Sequence, residues 1–129
     1  MRTNYIDVGD DKWGIVFVYD FDTDAEYVEL SAIMRSFGLS ERNINRSMQI
    51  LSTFNSGMTI SVPDLRMSVI FIGNATSNSQ WWSTVSHELL HAEQAILDYY
   101  DISWDGEPPA YTIGYLLQRA VEEFAEPCY

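Results

Sequence analysis

The sequence predicts a single α+β domain in which a small, mostly antiparallel sheet packs against four helices. Three observations predict it. Short apolar, β-branched runs alternate with longer stretches whose apolar residues recur at helical spacing. Two of the short runs are separated only by a turn containing Pro63 and Asp64, as in a hairpin. Finally, 129 residues with 47% hydrophobic content supply one core but not the length for two ordinary domains, so residues 1–129 read as one unit.

The first strand is expected between Lys12 and Phe21, where Trp13, Ile15, Val16, Phe17, Val18 and Tyr19 form an apolar run bounded by aspartates. Thr23 to Phe37 then carries Tyr27, Val28, Leu30, Ile33, Met34 and Phe37 at helical spacing, and Gly38 marks its stop. Ser40 followed by Glu41 opens a second helix reaching about Phe54. Asn55, Ser56 and Gly57 break that helix, and Met58 to Val62 and Met67 to Ile72 are the two strands of the hairpin. Gly73 to Ser79 is a polar connector in which Ser77 and Gln80 have the spacing of a capping box, so a third helix is expected from about Gln80 to Tyr100. A fourth begins near Pro108, a residue favoured at the first helical position, with Ala110, Ile113, Gly114, Leu117, Val121 and Phe124 as its apolar stripe.

Composition narrows the function. Nineteen acidic side chains against seven basic ones give a formal net charge of -12, which repels nucleic-acid phosphate and anionic lipid, so neither nucleic acid nor membrane is an expected partner. An aromatic content of 14% argues against disorder, because burial of such side chains offsets the entropy of ordering the chain. The first residues lack the basic start and apolar run of a secretory signal, and no stretch approaches a membrane-spanning length. Cys128 is the only cysteine, so no internal disulfide forms, and the expectation is a reducing, cytoplasmic setting in which this thiol is incidental.

The third helix holds the stretch Thr84-Val85-Ser86-His87-Glu88-Leu89-Leu90-His91-Ala92. Residues four apart stand one above the other on a helix, so His87 and His91 present two imidazoles to one ion in the HExxH pattern. Zinc is the expected cofactor, since neutral imidazole suits a borderline-soft cation and a catalytic site has three protein ligands with water in the fourth position. Glu88 projects beside the same face and is placed to take a proton from water attacking a carbonyl and to deliver it to the leaving amine. His87 and His91 are the only histidines in the chain. Two scattered histidines fall four apart in roughly 1.5% of arrangements, and a glutamate after the first lowers that to about 0.1%, so coincidence is a poor account of the motif. A third ligand is required, and with no further histidine or upstream cysteine it is a carboxylate or a residue the sequence does not single out, the downstream acids being the obvious candidates. Asp98 shares the histidine face nearly two turns on, Asp101 and Asp105 lie in the connector, and Glu107 precedes the fourth helix. Glu107 is the choice, because an antiparallel fourth helix would return its first turn toward the metal, with Gly114 permitting close approach. Tyr111 follows Glu107 by four residues, with Tyr115 four further on, and a phenol near zinc can donate to a developing oxyanion. Trp81 and Trp82 read as core anchors rather than a substrate platform.

At His87 to His91 the sequence resembles the zincin metallopeptidases, and a glutamate on the following helix would place it nearest the gluzincin branch. The resemblance covers the third and fourth helices, and the hairpin before them is similar to the zincin strand whose edge binds substrate backbone. It implies a minimal zincin-like domain with His87, His91 and Glu107 as ligands and Glu88 as general base. The segment from Asp105 to Leu116, coming soon after HELLH, is similar to short zincin-like proteins of bacteria, phages and mobile elements. The gap from His91 to Glu107 is shorter than is usual for gluzincins, and no acid follows Glu107 at three or four positions.

The leading expectation is therefore a zinc metallopeptidase acting on a peptide or protein substrate, with an extended segment added to the hairpin edge. The competitors are a zinc-binding domain without turnover, and an acidic interaction module in which charge rather than metal is the function.

Overall fold

A computed structural model of the chain describes residues 1–9 and 12–124, so Cys128 lies outside the described residues. In chain order the elements are β1 (Arg2–Val8), β2 (Trp13–Tyr19), α1 (Tyr27–Ser36), α2 (Glu41–Leu51), β3 (Gly57–Val62), β4 (Met67–Ile72), α3 (Asn78–Tyr99) and α4 (Glu107–Phe124). The class is α+β, with one parallel strand pair in an otherwise antiparallel sheet.

The sheet runs β1-β2-β4-β3. β1 and β2 pair antiparallel with Ile6 opposite Ile15, β2 and β4 pair parallel with Val16 opposite Val69, and β3 and β4 form the hairpin with Ile60 opposite Val69. The two central strands are apolar on both faces, as strands covered on both sides are. Ile15, Phe17, Tyr19, Ile70 and Ile72 face α3 and α4, joined by Val85, Leu89, Ala92, Leu116, Ala120 and Phe124. Val18, Val69, Phe71 and Ile60 face α1 and α2, against Leu30, Met34, Ile44, Met48 and Leu51. Two cores thus sandwich one sheet.

Local chemistry trims the expected elements. α1 starts at Tyr27 rather than Thr23, because the Asp22 carboxylate accepts the amides of Asp24 at 2.8 Å and Ala25 at 3.1 Å and holds a turn there. α2 begins after Ser40, whose hydroxyl accepts the Asn43 amide, and ends at Leu51 instead of Phe54. Beyond it Ser52 and Thr53 bond back to carbonyls three residues earlier, and Asn55 turns the chain with a φ of 60°. α3 starts after Ser77, whose hydroxyl accepts the Gln80 amide at 3.1 Å. β1 is a strand that the sequence reading passed over, since only Ile6 and Val8 in it are buried.

α4 packs through Leu116, Ala120 and Phe124. The Phe124 ring stands edge-on to Phe17 at 5.0 Å, Trp81 at 5.1 Å and Tyr19 at 5.2 Å, so Trp81 anchors the core as expected, with Trp82 packed beside it. Gly114 is not a point of close helix approach: a Cβ there would meet nothing within 4 Å.

Candidate metal centre

β3 is an edge strand, and alternation sends Gly57, Thr59 and Ser61 toward α3 while Met58 and Ile60 turn to the opposite core. Small and polar side chains on that side leave a furrow between strand and helix. Two adjoining hollows occupy it, about 390 and 560 Å³ in volume, and share Gly57, His87 and Glu88 in their walls. The second also takes in Thr59, Ser61, His91, Ala95 and Asp98.

His87 and His91 stand over this furrow from successive turns of α3, their ring centroids 5.0 Å apart. Both are exposed, His87 with 68% of its side chain open to solvent. Glu88 is the opposite case, with only 6% of its side chain exposed. Its carboxylate is seated on β3. The Thr59 hydroxyl donates to Glu88 Oε1 at 2.8 Å and lies 3.1 Å from the Glu88 carbonyl oxygen, while Glu88 Oε2 is 3.8 Å from His87 Nε2. Gly57 makes the seat possible, because a Cβ there would lie 2.7 Å from Thr84 Cγ2 and 2.8 Å from Glu88 Cγ. A buried carboxylate with a fixed donor beside two open imidazoles can hold a proton acceptor still while the imidazoles take a cation.

The structure thus brings His87, Glu88 and His91 together, and it does not bring Glu107 or Tyr111 to them. Burial of Leu116 and Ala120 sets the rotation of α4, and at about 100° per residue Glu107 and Tyr111 fall on its far side. Glu107 is exposed in the first helical turn. Tyr111, 73% exposed, lines a separate hollow of about 380 Å³ with Val8, Trp13, Tyr100 and Tyr115. Among the described residues no group of three His, Cys, Asp or Glu converges as a metal-binding set. The two imidazoles fit a borderline-soft cation in chemistry and spacing, and a third protein ligand is not assembled beside them. Thr59 and Gly57 were missed by the sequence reading. Gly57 was read only as part of the break before the strand, and the period-two spacing of Gly57, Thr59 and Ser61 is the one signal that they share a face.

A further cavity of about 450 Å³ lies near the start of α3, lined by Arg2, Tyr19, Asp20, Asn74 and Trp81 among others. It contains neither histidine, and its Arg2 pairs with Asp20 at 3.5 Å.

Among the described residues no helix is long and apolar enough to cross a membrane. No family model, curated protein or solved structure matches the chain, so its functional reading rests on the site's own chemistry.

Proposed function

We propose that the protein is a zinc-dependent hydrolase cleaving a peptide or protein, with Glu88 as general base. The observation that supports this most is the pairing of two solvent-open imidazoles, on successive turns of α3, with a buried carboxylate seated on the neighbouring edge strand. His87 and His91 would hold the metal. When bound, zinc supplies a positive charge that acidifies water and polarises a carbonyl. Glu88 takes a proton at its carboxylate from water in the furrow and returns it to the departing amine, and the Thr59 hydroxyl holds that carboxylate in place between the two transfers. Among the described residues no strand pairs with the outer edge of β3, and an extended substrate adds to that edge as a further strand.

A second reading is a zinc-binding domain without turnover. It is favoured by the lack of a third converging ligand among the described residues.

Metal analysis of the purified protein tests the site first. Wild type is expected to carry stoichiometric zinc, and His87→Ala and His91→Ala to lose it. Glu88→Gln separates the two readings, since it is expected to keep zinc while cleavage of a casein or peptide-library substrate falls by about 100-fold or more. Cleavage that survives this substitution would end the assigned mechanism, and zinc retained by both histidine variants would end the site.

A further inference from the structure

The furrow continues past His91. Two turns further along α3, Asp98 lines its far end. One oxygen of that carboxylate accepts the Trp104 indole N–H at 3.0 Å, which orients the group. No Lys, Arg or His pairs with Asp98 among the described residues, and no Lys or Arg is among the residues lining either hollow. The other carboxylate of the furrow, Glu88, is buried and engaged by Thr59. Trp104 meets Asp98 through the edge of its indole and is not among the residues lining the furrow, so the end of the furrow presents an oriented carboxylate that has no cation among the described residues. An oriented carboxylate without a cation is the chemistry that takes a guanidinium or an ammonium group. The formal net charge of -12 steers the same kind of partner toward the molecule.

Building on the hydrolase reading above, we infer that the furrow takes peptide segments carrying an arginine or lysine, whose cation is held by Asp98, the carboxylate that Trp104 orients. The spacing says where in the segment that residue stands. Seven residues of helix from His91 to Asp98 rise about 10.5 Å, and an extended peptide covers about 3.3 Å per residue. The basic residue therefore sits about three positions from the backbone lying beside the histidines.

The experiment uses the full chain with Glu88→Gln, loaded with zinc, and fluorescein-labelled peptides of alanine and serine bearing a single Arg, Gln or Glu. The Arg peptide is expected to bind about threefold tighter than the Gln peptide, the size of one solvent-exposed ion pair. The preference is expected to vanish when Asp98→Asn is added and to shrink when Trp104→Leu is added. The same titrations on metal-free protein keep this inference apart from the hydrolase reading. An Asp98-dependent preference for arginine in a chain that fails to bind zinc would leave the cation site standing and remove the enzyme. Equal affinity for the Arg, Gln and Glu peptides, no binding of any of them, or a preference unchanged by Asp98→Asn would each overturn it.

Discussion

The Thr59 hydroxyl has a single proton and two Glu88 oxygens within reach, 2.8 Å and 3.1 Å away. Thr59→Val keeps the shape and removes the donor. Hydrogen bonds to charged groups contribute about 1.5–3 kcal/mol, so that variant is expected to lose about tenfold or more in kcat, with KM and zinc content near wild type. Thr59→Ser is expected to restore most of the rate; a Val variant as active as wild type, measured by steady-state kinetics, would show that the seat does not position the base. At this scale the motif was legible because His87, Glu88 and His91 lie within one helical turn, and helical periodicity alone aligns them. Thr59 and Gly57 were not, because they lie about thirty residues away and meet Glu88 only through the packing of β3 on α3.

α3 carries two buried acids with different surroundings. Glu88 has a donor on β3, whereas Glu93, five residues on and so about 140° round the helix, is 2% exposed with an Oε2 that has no hydrogen-bond partner among the described residues. Burial pushes the Glu93 carboxyl above the usual glutamate range. The protonated form favours the fold, so its contribution is complete below the ordinary glutamate pKa and is lost as pH rises through the raised folded value. Glu93→Met is accordingly expected to stabilise the protein by about 1–3 kcal/mol at pH 7, with a smaller gain near pH 4, measured by guanidinium unfolding at both. An equal gain at the two pH values would show that ionisation of Glu93 does not matter. The four helices, the strand from Trp13 and the hairpin were readable from periodicity and turn residues. The rotation of α4 was not. The expected stripe turned Ala110, Gly114 and Val121 inward with Phe124, whereas Leu116 and Ala120 share the buried face with Phe124 and those three are exposed, and on the helix so turned Glu107 and Tyr111 fall away from the histidines.

For the whole molecule, stability comes from two apolar cores that contain neither histidine. Chelation with EDTA is therefore expected to leave the far-ultraviolet circular dichroism of the protein unchanged. Zinc at about 100 times its dissociation constant should add about 2.7 kcal/mol by mass action, seen as a raised Tm. Unfolding on chelation would show instead that the metal organises the fold, as it does in small zinc domains. Sequence reading found the layers' ingredients but neither β1 nor the parallel pairing of β2 with β4, since that contact spans about fifty residues and nothing local announces it. The same order along the chain has a consequence for synthesis. All four strands precede Gly73, whereas both helices that cover one face of the sheet come after it. A chain grown only that far holds all four strands without the helices that cover Ile15, Phe17, Ile70 and Ile72. Until the helix bearing the histidines has left the ribosome, those side chains are the apolar surface that a chaperone would hold.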